Sequence, residues 1–352
     1  MKVLLLGAYG QDNLGDEALL EAHLQQLSGH DVTVASSDPT DTTARYGVPS
    51  VPTYGAATLR MLRRVDHVVF GGGSVLKELP PPHARRRLLV GIAGAAALRG
   101  SRVSLSAVGV ERIRTRLGLR LARYAADRCG LVTVRDEGSR RMLKDLGVRR
   151  EPRVVADAAF LLEPGPARGL ATPSGPLVIL NPMRSGEVEC PRERVVASFA
   201  ALARHAQREH GARVVAMPFK TSGMDEDASI AADLGVPVLP RIRPSDALAA
   251  LAEADLFVGM RHHGVLLALH AGTPALAVPY APKTQRLVEE LGLARHAIPA
   301  SGLTPDRLTR AFDRAMDERR ETMRAVEKPL QAQRDRARDN FDLLRAHLAG
   351  GP

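Results

Sequence analysis

Apolar and polar residues follow two rhythms along this chain. Short apolar runs, the length of a buried strand, alternate with longer stretches whose apolar positions recur every three to four residues, the period of a helix face. In the first half, residues 2–6, 31–35, 67–70, 102–107 and 131–134 read as strands, and 16–27, 83–98, 114–127 and 136–146 as helices. In the second half, 177–180, 213–216, 256–258 and 275–278 read as strands, and 192–210, 225–234, 245–253, 261–271 and 283–291 as helices. Strands apolar on both faces and separated by helices imply parallel sheets covered on both sides. The pattern is interrupted at 163–176, where four Pro and three Gly accompany almost no large apolar residue, the signature of a linker. Residues 304–348 are charged and helical in pattern, and Pro329 is expected to split them into two helices. The expected organisation is an N-terminal Rossmann-like domain over 1–165, a second over 176–303, and a helical tail over 304–352 crossing back to the first domain.

A chain of 352 residues with 45% hydrophobic content can bury a sizeable core, which excludes a disordered chain or a small disulfide scaffold. Cys129 and Cys190 are the only cysteines and form no CxxC pair, so a structural zinc site is not expected and a reducing, cytoplasmic setting is. No run reaches the ~18 apolar residues of a membrane helix, and the opening Met1–Leu6 reads as a strand rather than a signal peptide. The net charge of +10 comes from 43 Arg and only six Lys, a usage that reflects GC-rich coding as much as a basic surface. With 3% aromatics and no Trp, nucleic-acid binding is not expected. A basic face against anionic lipid or a phosphorylated substrate fits the composition better.

Unusual residues collect just after the expected strands, where doubly wound sheets bind ligands. The first group is GAYGQDNLGDE at residues 7–17, which is neither GxGxxG nor GxxxxGK[ST]. Asn13, Asp16 and Glu17 within it either cap the helix and complement its dipole or touch sugar hydroxyls. Gly72 and Gly73, in Gly71-Gly72-Gly73-Ser74, make either a tight turn or a close ligand approach. Arg135 either clamps a carboxylate or phosphate or pairs with Asp136 or Glu137, and Asp136 reads as a helix N-cap. Asp157, in an apolar segment, either holds an Arg or touches substrate. Arg261-His262-His263 opens an apolar helix and combines an anion site with groups that titrate near neutrality. No further ligand lies at metal spacing, so no metal is expected there. His270 reads as structural. Lys283 follows the last strand as a second cation or as a surface lysine. No GxSxG, HExxH or kinase pattern occurs.

Taken together, GAYGQDNLGDEALL, GGGSVL, VRDEGSRRMLKDLGV, ADAAF, MRHHGVLLALHAGTP and PYAPK resemble the polysaccharide pyruvyl transferase family, of the CsaB type, over residues 2–291. That resemblance implies an α/β fold with two Rossmann-like domains in a GT-B-like arrangement, the first on the acceptor side and the second on the phosphoenolpyruvate side. It implies transfer of the enolpyruvyl group of phosphoenolpyruvate to a sugar, forming a cyclic ketal and releasing phosphate, with no cofactor. The CsaB branch further implies N-acetylmannosamine in a cell-wall polysaccharide that retains S-layer proteins. A lipid-linked acceptor would place the enzyme at the inner membrane face, consistent with a basic surface, whereas a soluble oligosaccharide would need no such contact. Arg135, Arg261, His263 and Asp157 match motif positions of the family. Ala158, Glu78 and Ala281 depart from it, standing where Pro, Asp and Asp are usual. The expected catalytic residues are His263, Arg261 and Arg135. The expected substrate-binding residues are Asn13, Asp16, Glu17, Gly72, Gly73, Asp157, His262 and Lys283. A GT-B glycosyltransferase using a nucleotide-sugar, or a non-catalytic glycan-binding protein, is the alternative.

Overall fold

The computed structural model describes residues 1–78, 86–111, 113–167, 169–170, 175–183, 190–223 and 227–350. The chain divides into two units: Met1–Gln11, Asp16–Leu162 and Gln333–Pro352 form the first, and Asp12–Gly15 and Glu163–Ala332 the second.

The first unit is built on β1 (Lys2–Leu6), α1 (Leu14–Gln26), β2 (Asp31–Ser36), α2 (Pro39–Tyr46), β3 (Ser50–Pro52), α3 (Ala56–Arg64), β4 (His67–Gly71), α4 (Arg86–Arg99), β5 (Val103–Val108), α5 (Arg116–Arg128), β6 (Leu131–Val134), α6 (Glu137–Asp145) and β7 (Arg153–Val154). Its seven strands are parallel in the order β3-β2-β1-β4-β5-β6-β7. The order reverses at β1, so right-handed crossovers put α1 and α2 on one face and α3 to α6 on the other. Leu62 of α3, Ile92 and Ala96 of α4, Ala122 and Ala125 of α5, and Leu143 of α6 accordingly share one buried cluster with β4, β5 and β6.

The second unit contains β8 (Leu177–Asn181), α7 (Arg192–His210), β9 (Arg213–Ala216), α8 (Ala228–Ala232), α9 (Pro244–Ala252), β10 (Leu256–Gly259), α10 (His262–His270), β11 (Ala275–Ala277), α11 (Pro282–Glu290) and α12 (Pro305–Asp317). Its four parallel strands run β11-β10-β8-β9, so the order reverses between β8 and β10. Phe199 and Leu202 of α7 and Leu308 and Phe312 of α12 close one side of this sheet.

The last helix, α13 (Arg319–Leu348), keeps Pro329 in its interior, and the chain breaks instead at Glu318, between α12 and α13. Proline removes one N–H and displaces the carbonyl four residues back, here that of Ala325. Ala325 is on an exposed face, where its carbonyl is open to solvent, and the helix continues through the proline. The expected tail is thus divided: 304–332 belongs to the second unit, and only the stretch from Gln333 belongs to the first. There Phe341 meets the His23 ring edge-on at 5.0 Å. Asn340 donates to Ser106 Oγ at 3.0 Å and accepts from Thr133 Oγ1 at 2.6 Å, completing the α1 side of the sheet.

Other expectations shift. Residues 39–65, which carry no clear apolar rhythm, hold α2, β3 and α3, because β3 is a three-residue edge strand that is nowhere buried. The expected linker is stitched to α9: Gly165 N–H donates to Ser245 O at 2.9 Å, and Gly169 N–H to Glu253 at 2.9 Å. Residues 168 and 171–174 of that linker, 83–85 of one expected helix and 225–226 of another lie outside the described residues.

Candidate active site

The reversal between β8 and β10 leaves a crevice position at the carboxyl ends of these two strands. Asn181 ends β8, and Arg261 caps the N-terminus of α10 just after β10. Asn181 Oδ1 accepts the Arg261 N–H at 3.2 Å, while its Nδ2 donates to Met217 O at 2.9 Å, fixing the turn between strand and helix. Gly264, in the first turn of α10, faces the Phe257 ring; a Cβ there would lie 2.7 Å from the ring, so only glycine lets the helix N-terminus settle on the sheet.

The Arg261 side chain is held by Asp227 on its Nε and Nη2 edge, with contacts of 3.0 and 2.7 Å. Asp227 is fully buried and also accepts the N–H groups of Phe219 and Lys220, both at 3.1 Å. Burial pushes its carboxyl above the usual range, while Arg261 and the two amides pull it back. A fork so fixed is a rigid cation at the positive end of a helix.

Residues 12–15, although they follow β1, are bound into this unit. Asn13 and Lys220 form an antiparallel bridge, Leu14 N–H donates to Phe219 O at 2.7 Å, and Thr221 N–H donates to Asp12 O at 3.2 Å. Asp12 adopts φ of 53° and pairs with Arg241 at 2.5 Å. Asn13 also accepts the Gly15 N–H at 3.2 Å, the capping role open to it from the sequence. Gly15 lies flat against His263: a Cβ on it would fall 2.3 Å from Nδ1. The His262 ring meets that of His263 edge-on at 5.1 Å. The second unit therefore gathers Asn13, Arg261, His262 and His263 around the start of α10. Lys283 is half-buried at the second residue of α11, behind Pro282.

The other expected residues lie in the first unit, at its own reversal between β1 and β4. Gly72 and Gly73 have φ of 66° and 71°, a conformation that favours glycine, and a Cβ on Gly73 would lie 3.2 Å from Asp16 Oδ1. Glu17 accepts the Gly10 N–H at 2.7 Å and the Tyr46 hydroxyl at 2.8 Å. Burial raises its carboxyl above the usual range against those two bonds.

Arg135 is buried at the end of β6. It donates to Asp157 at 3.2 Å and to Ser74 Oγ at 3.2 Å, with Asp136 at 3.6 Å. The flat guanidinium lies against Gly109, where a Cβ would come within 2.8 Å. Asp157 thus holds an arginine, while Glu137 pairs with Arg140 rather than Arg135. Asp136 caps α6 through the Ser139 N–H at 2.7 Å, as its position suggests. Glu78 accepts the N–H groups of Arg114 and Thr115 at 2.9 and 2.8 Å and so anchors the start of α5.

Within the second unit, His205, His210 and Asp313 could hold a metal ion: both imidazole Nε2 atoms point at one Asp313 oxygen, at 2.6 and 2.8 Å. Burial would raise this carboxyl, but the two histidines outweigh it and hold it below its usual range. The group ties α7 to α12. Sequence reasoning missed it, as it missed Asn181, Asp227 and Lys220. Each partner lies far along the chain from what it touches, and an isolated Asp or Asn carries no spacing signal.

No curated protein matches the chain in sequence. The structure is similar to the UDP co-structure of S. aureus MnaA, at 10% identity over 99% of this chain and 97% of that one, with a TM-score of 0.67. It is also similar to a putative UDP-N-acetylglucosamine 2-epimerase from Listeria monocytogenes, at 12% identity over 100% and 97%, with a TM-score of 0.64. The calicheamicin glycosyltransferase CalG4 matches at 16% identity over 99% and 98%, with a TM-score of 0.51. Such likeness shows the fold: the α/β, two-domain Rossmann-like class shared by GT-B glycosyltransferases and UDP-GlcNAc 2-epimerases, as expected from the sequence. The family model for polysaccharide pyruvyl transferases matches residues 13–282 and so spans the loop at Asn13, Arg135, Asp157 and the Arg261-His262-His263 helix start. The chain with this arginine-and-histidine helix start belongs to the polysaccharide pyruvyl transferase family.

Proposed function

We propose that the chain transfers the enolpyruvyl group of phosphoenolpyruvate to a saccharide, N-acetylmannosamine of a cell-wall polysaccharide precursor, and that the product serves S-layer retention. The observation that carries this reading is the start of α10, where Arg261, locked by buried Asp227, stands beside His263 at a helix N-terminus. Phosphoenolpyruvate brings a carboxylate and a phosphate. The helix dipole and a rigid guanidinium suit either anion. In the reaction, C3 of the donor gains a proton and C2 becomes oxocarbenium-like. One sugar hydroxyl adds to C2, the C2–O bond breaks and its oxygen leaves as part of inorganic phosphate, and a second hydroxyl adds to C2 to close the ketal. Of the two hydroxyl protons, one balances the new methyl group and the other leaves with phosphate. His263 is our candidate for moving one of them, since an imidazole nitrogen can accept a proton and give it back. Arg135, fixed by Asp157, is read as the corresponding anion-binding residue of the first unit. Asp16 and Lys283 are read as substrate contacts. The reaction needs no cofactor. Phosphoenolpyruvate as donor and two buried, free thiols suit a cytoplasmic enzyme.

The fold offers a second reading, because relatives of this fold are described in complex with UDP. A nucleotide-sugar transferase would release UDP, whereas a pyruvyl transferase releases phosphate. Incubation with phosphoenolpyruvate and an N-acetylmannosamine-containing acceptor is expected to release phosphate and yield a pyruvylated product by mass spectrometry, both lost in His263→Ala. UDP-sugar binding by calorimetry with no phosphoenolpyruvate binding would favour the second reading. Glycan binding that survives Arg261→Ala and His263→Ala with no turnover would make the chain a glycan-binding protein.

A further inference from the structure

The layer of helices on one face of the first sheet carries a surface that the reading above does not use. Among the described residues seven large apolar side chains are exposed, and four of them sit on α3, α4 and α5: Leu59, Leu98, Leu117 and Tyr124, with exposures of 54%, 56%, 51% and 40%. The same helices expose arginine. Arg60, Arg63 and Arg64 lie beside Leu59 on α3, and Arg116, Arg120, Arg123 and Arg128 lie beside Leu117 and Tyr124 on α5. The three helices are neighbours, since they pack against the same strands and α4 touches both of the others. On α5 the buried positions are Gly118, Ala122, Ala125 and Ala126, so the arginines and both large apolar groups form the opposite stripe. Opposing charge is scarce: α3 and α4 contain no acidic residue, and Asp127 of α5 is taken up by Arg123 and the Arg149 N–H. Arg128 lies over the Tyr124 ring at 4.9 Å, which keeps ring and cation side by side at the surface.

We propose that this face docks on an anionic lipid bilayer. Guanidinium forks bind phosphate headgroups, and leucine and tyrosine interleaved with them reach the boundary between headgroups and acyl chains. A nucleic acid would match the charge but not the leucines, which offer no stacking surface. Among the described residues no helix is long and apolar enough to cross a membrane, so the contact is peripheral. Its use rests on the pyruvyl transferase reading, because a lipid-linked saccharide acceptor would be met at that surface; the binding itself does not depend on it. The test is sedimentation of the full chain with vesicles of phosphatidylglycerol and phosphatidylcholine, against phosphatidylcholine alone, at low and high salt. Binding is expected to need phosphatidylglycerol and to fade at high salt. It should weaken about a hundredfold in Arg116→Gln/Arg120→Gln/Arg123→Gln, and should also weaken in Leu117→Gln/Tyr124→Gln. Phosphate release with a soluble acceptor should persist in both variants. Failure to sediment, or sedimentation unchanged in the arginine variant, would overturn the proposal. So would DNA binding as tight as vesicle binding with no effect of Leu117→Gln/Tyr124→Gln. Vesicle binding by a protein that releases no phosphate would leave the surface standing and remove the pyruvyl transferase reading.

Discussion

Gly15 is the smallest lever on the histidine at the start of α10. It is the second residue of α1, and a Cβ built on it would lie 2.3 Å from His263 Nδ1, 2.8 Å from Cγ and 3.0 Å from Cβ. Ordinary contact begins near 3.4 Å, so Gly15→Ala forces the imidazole back by about 1 Å. Gly15 is not among the residues with positive φ, and alanine in a helix gains about 1 kcal/mol over glycine. Overpacking opposes this by about 1–3 kcal/mol, so the fold is expected to survive with a small net loss. Displacement of a reacting group by about 1 Å can cost about a hundredfold in rate. If His263 moves a proton as proposed, phosphate release from phosphoenolpyruvate is expected to fall by about that factor, while the melting temperature moves by only a few degrees. In a His263→Ala background the two ring contacts are gone and only the 3.0 Å approach to the Cβ of residue 263 remains, so Gly15→Ala should cost much less there. Urea melts of the four proteins measure that coupling, expected at about 1–3 kcal/mol. The reasoning is refuted if Gly15→Ala keeps full turnover, or if its effect on stability is the same with and without the imidazole.

Three further outcomes follow from buried groups and from one helix. Asp227→Ala removes the buried acceptor shared by the Nε and Nη2 edge of Arg261 and two amides, and should destabilise the protein by about 3–5 kcal/mol in urea melts, with Asp227→Asn milder. His23 is buried and burial pushes its pKa down to about 4, with His67 held to about 4 chiefly by burial as well. The folded chain therefore takes up these protons later than the unfolded one. Stability is complete above about pH 6.5 and declines as pH falls toward about 4, where His23 alone accounts for about 3 kcal/mol. Melts at a series of pH values should show that decline, and His23→Gln should flatten part of it. Pro329→Ala restores a hydrogen bond inside α13 and should raise stability by up to about 3 kcal/mol, read as a higher melting temperature, whereas a fall would mean that the helix needs its bend.

The strand and helix rhythm was readable because burial repeats locally: β1, β6, α7 and β9 fall on the expected residues. The segment 39–65 was not readable, since a short edge strand and a small helix bury too little to leave a pattern. Pro329 misled, because a helix exposed on one side tolerates a proline that local rules place at an end. Among the candidate residues, type and position were legible, but partners were not. Nothing near Arg261 announces Asp227, 34 residues upstream, and nothing near Arg135 distinguishes Asp157 from the adjacent Asp136 and Glu137. Likewise the loop at Asn13 follows the first strand, yet its backbone pairs with residues 219–221. By itself the sequence determined the alternating elements, the parallel sheets and the polar groups at strand ends, because these depend on neighbours within a few residues. Tertiary structure alone decided which carboxylate holds which arginine, which glycine backs His263 and which unit each half of α13 joins, because those contacts are chosen by packing among residues far apart in the chain.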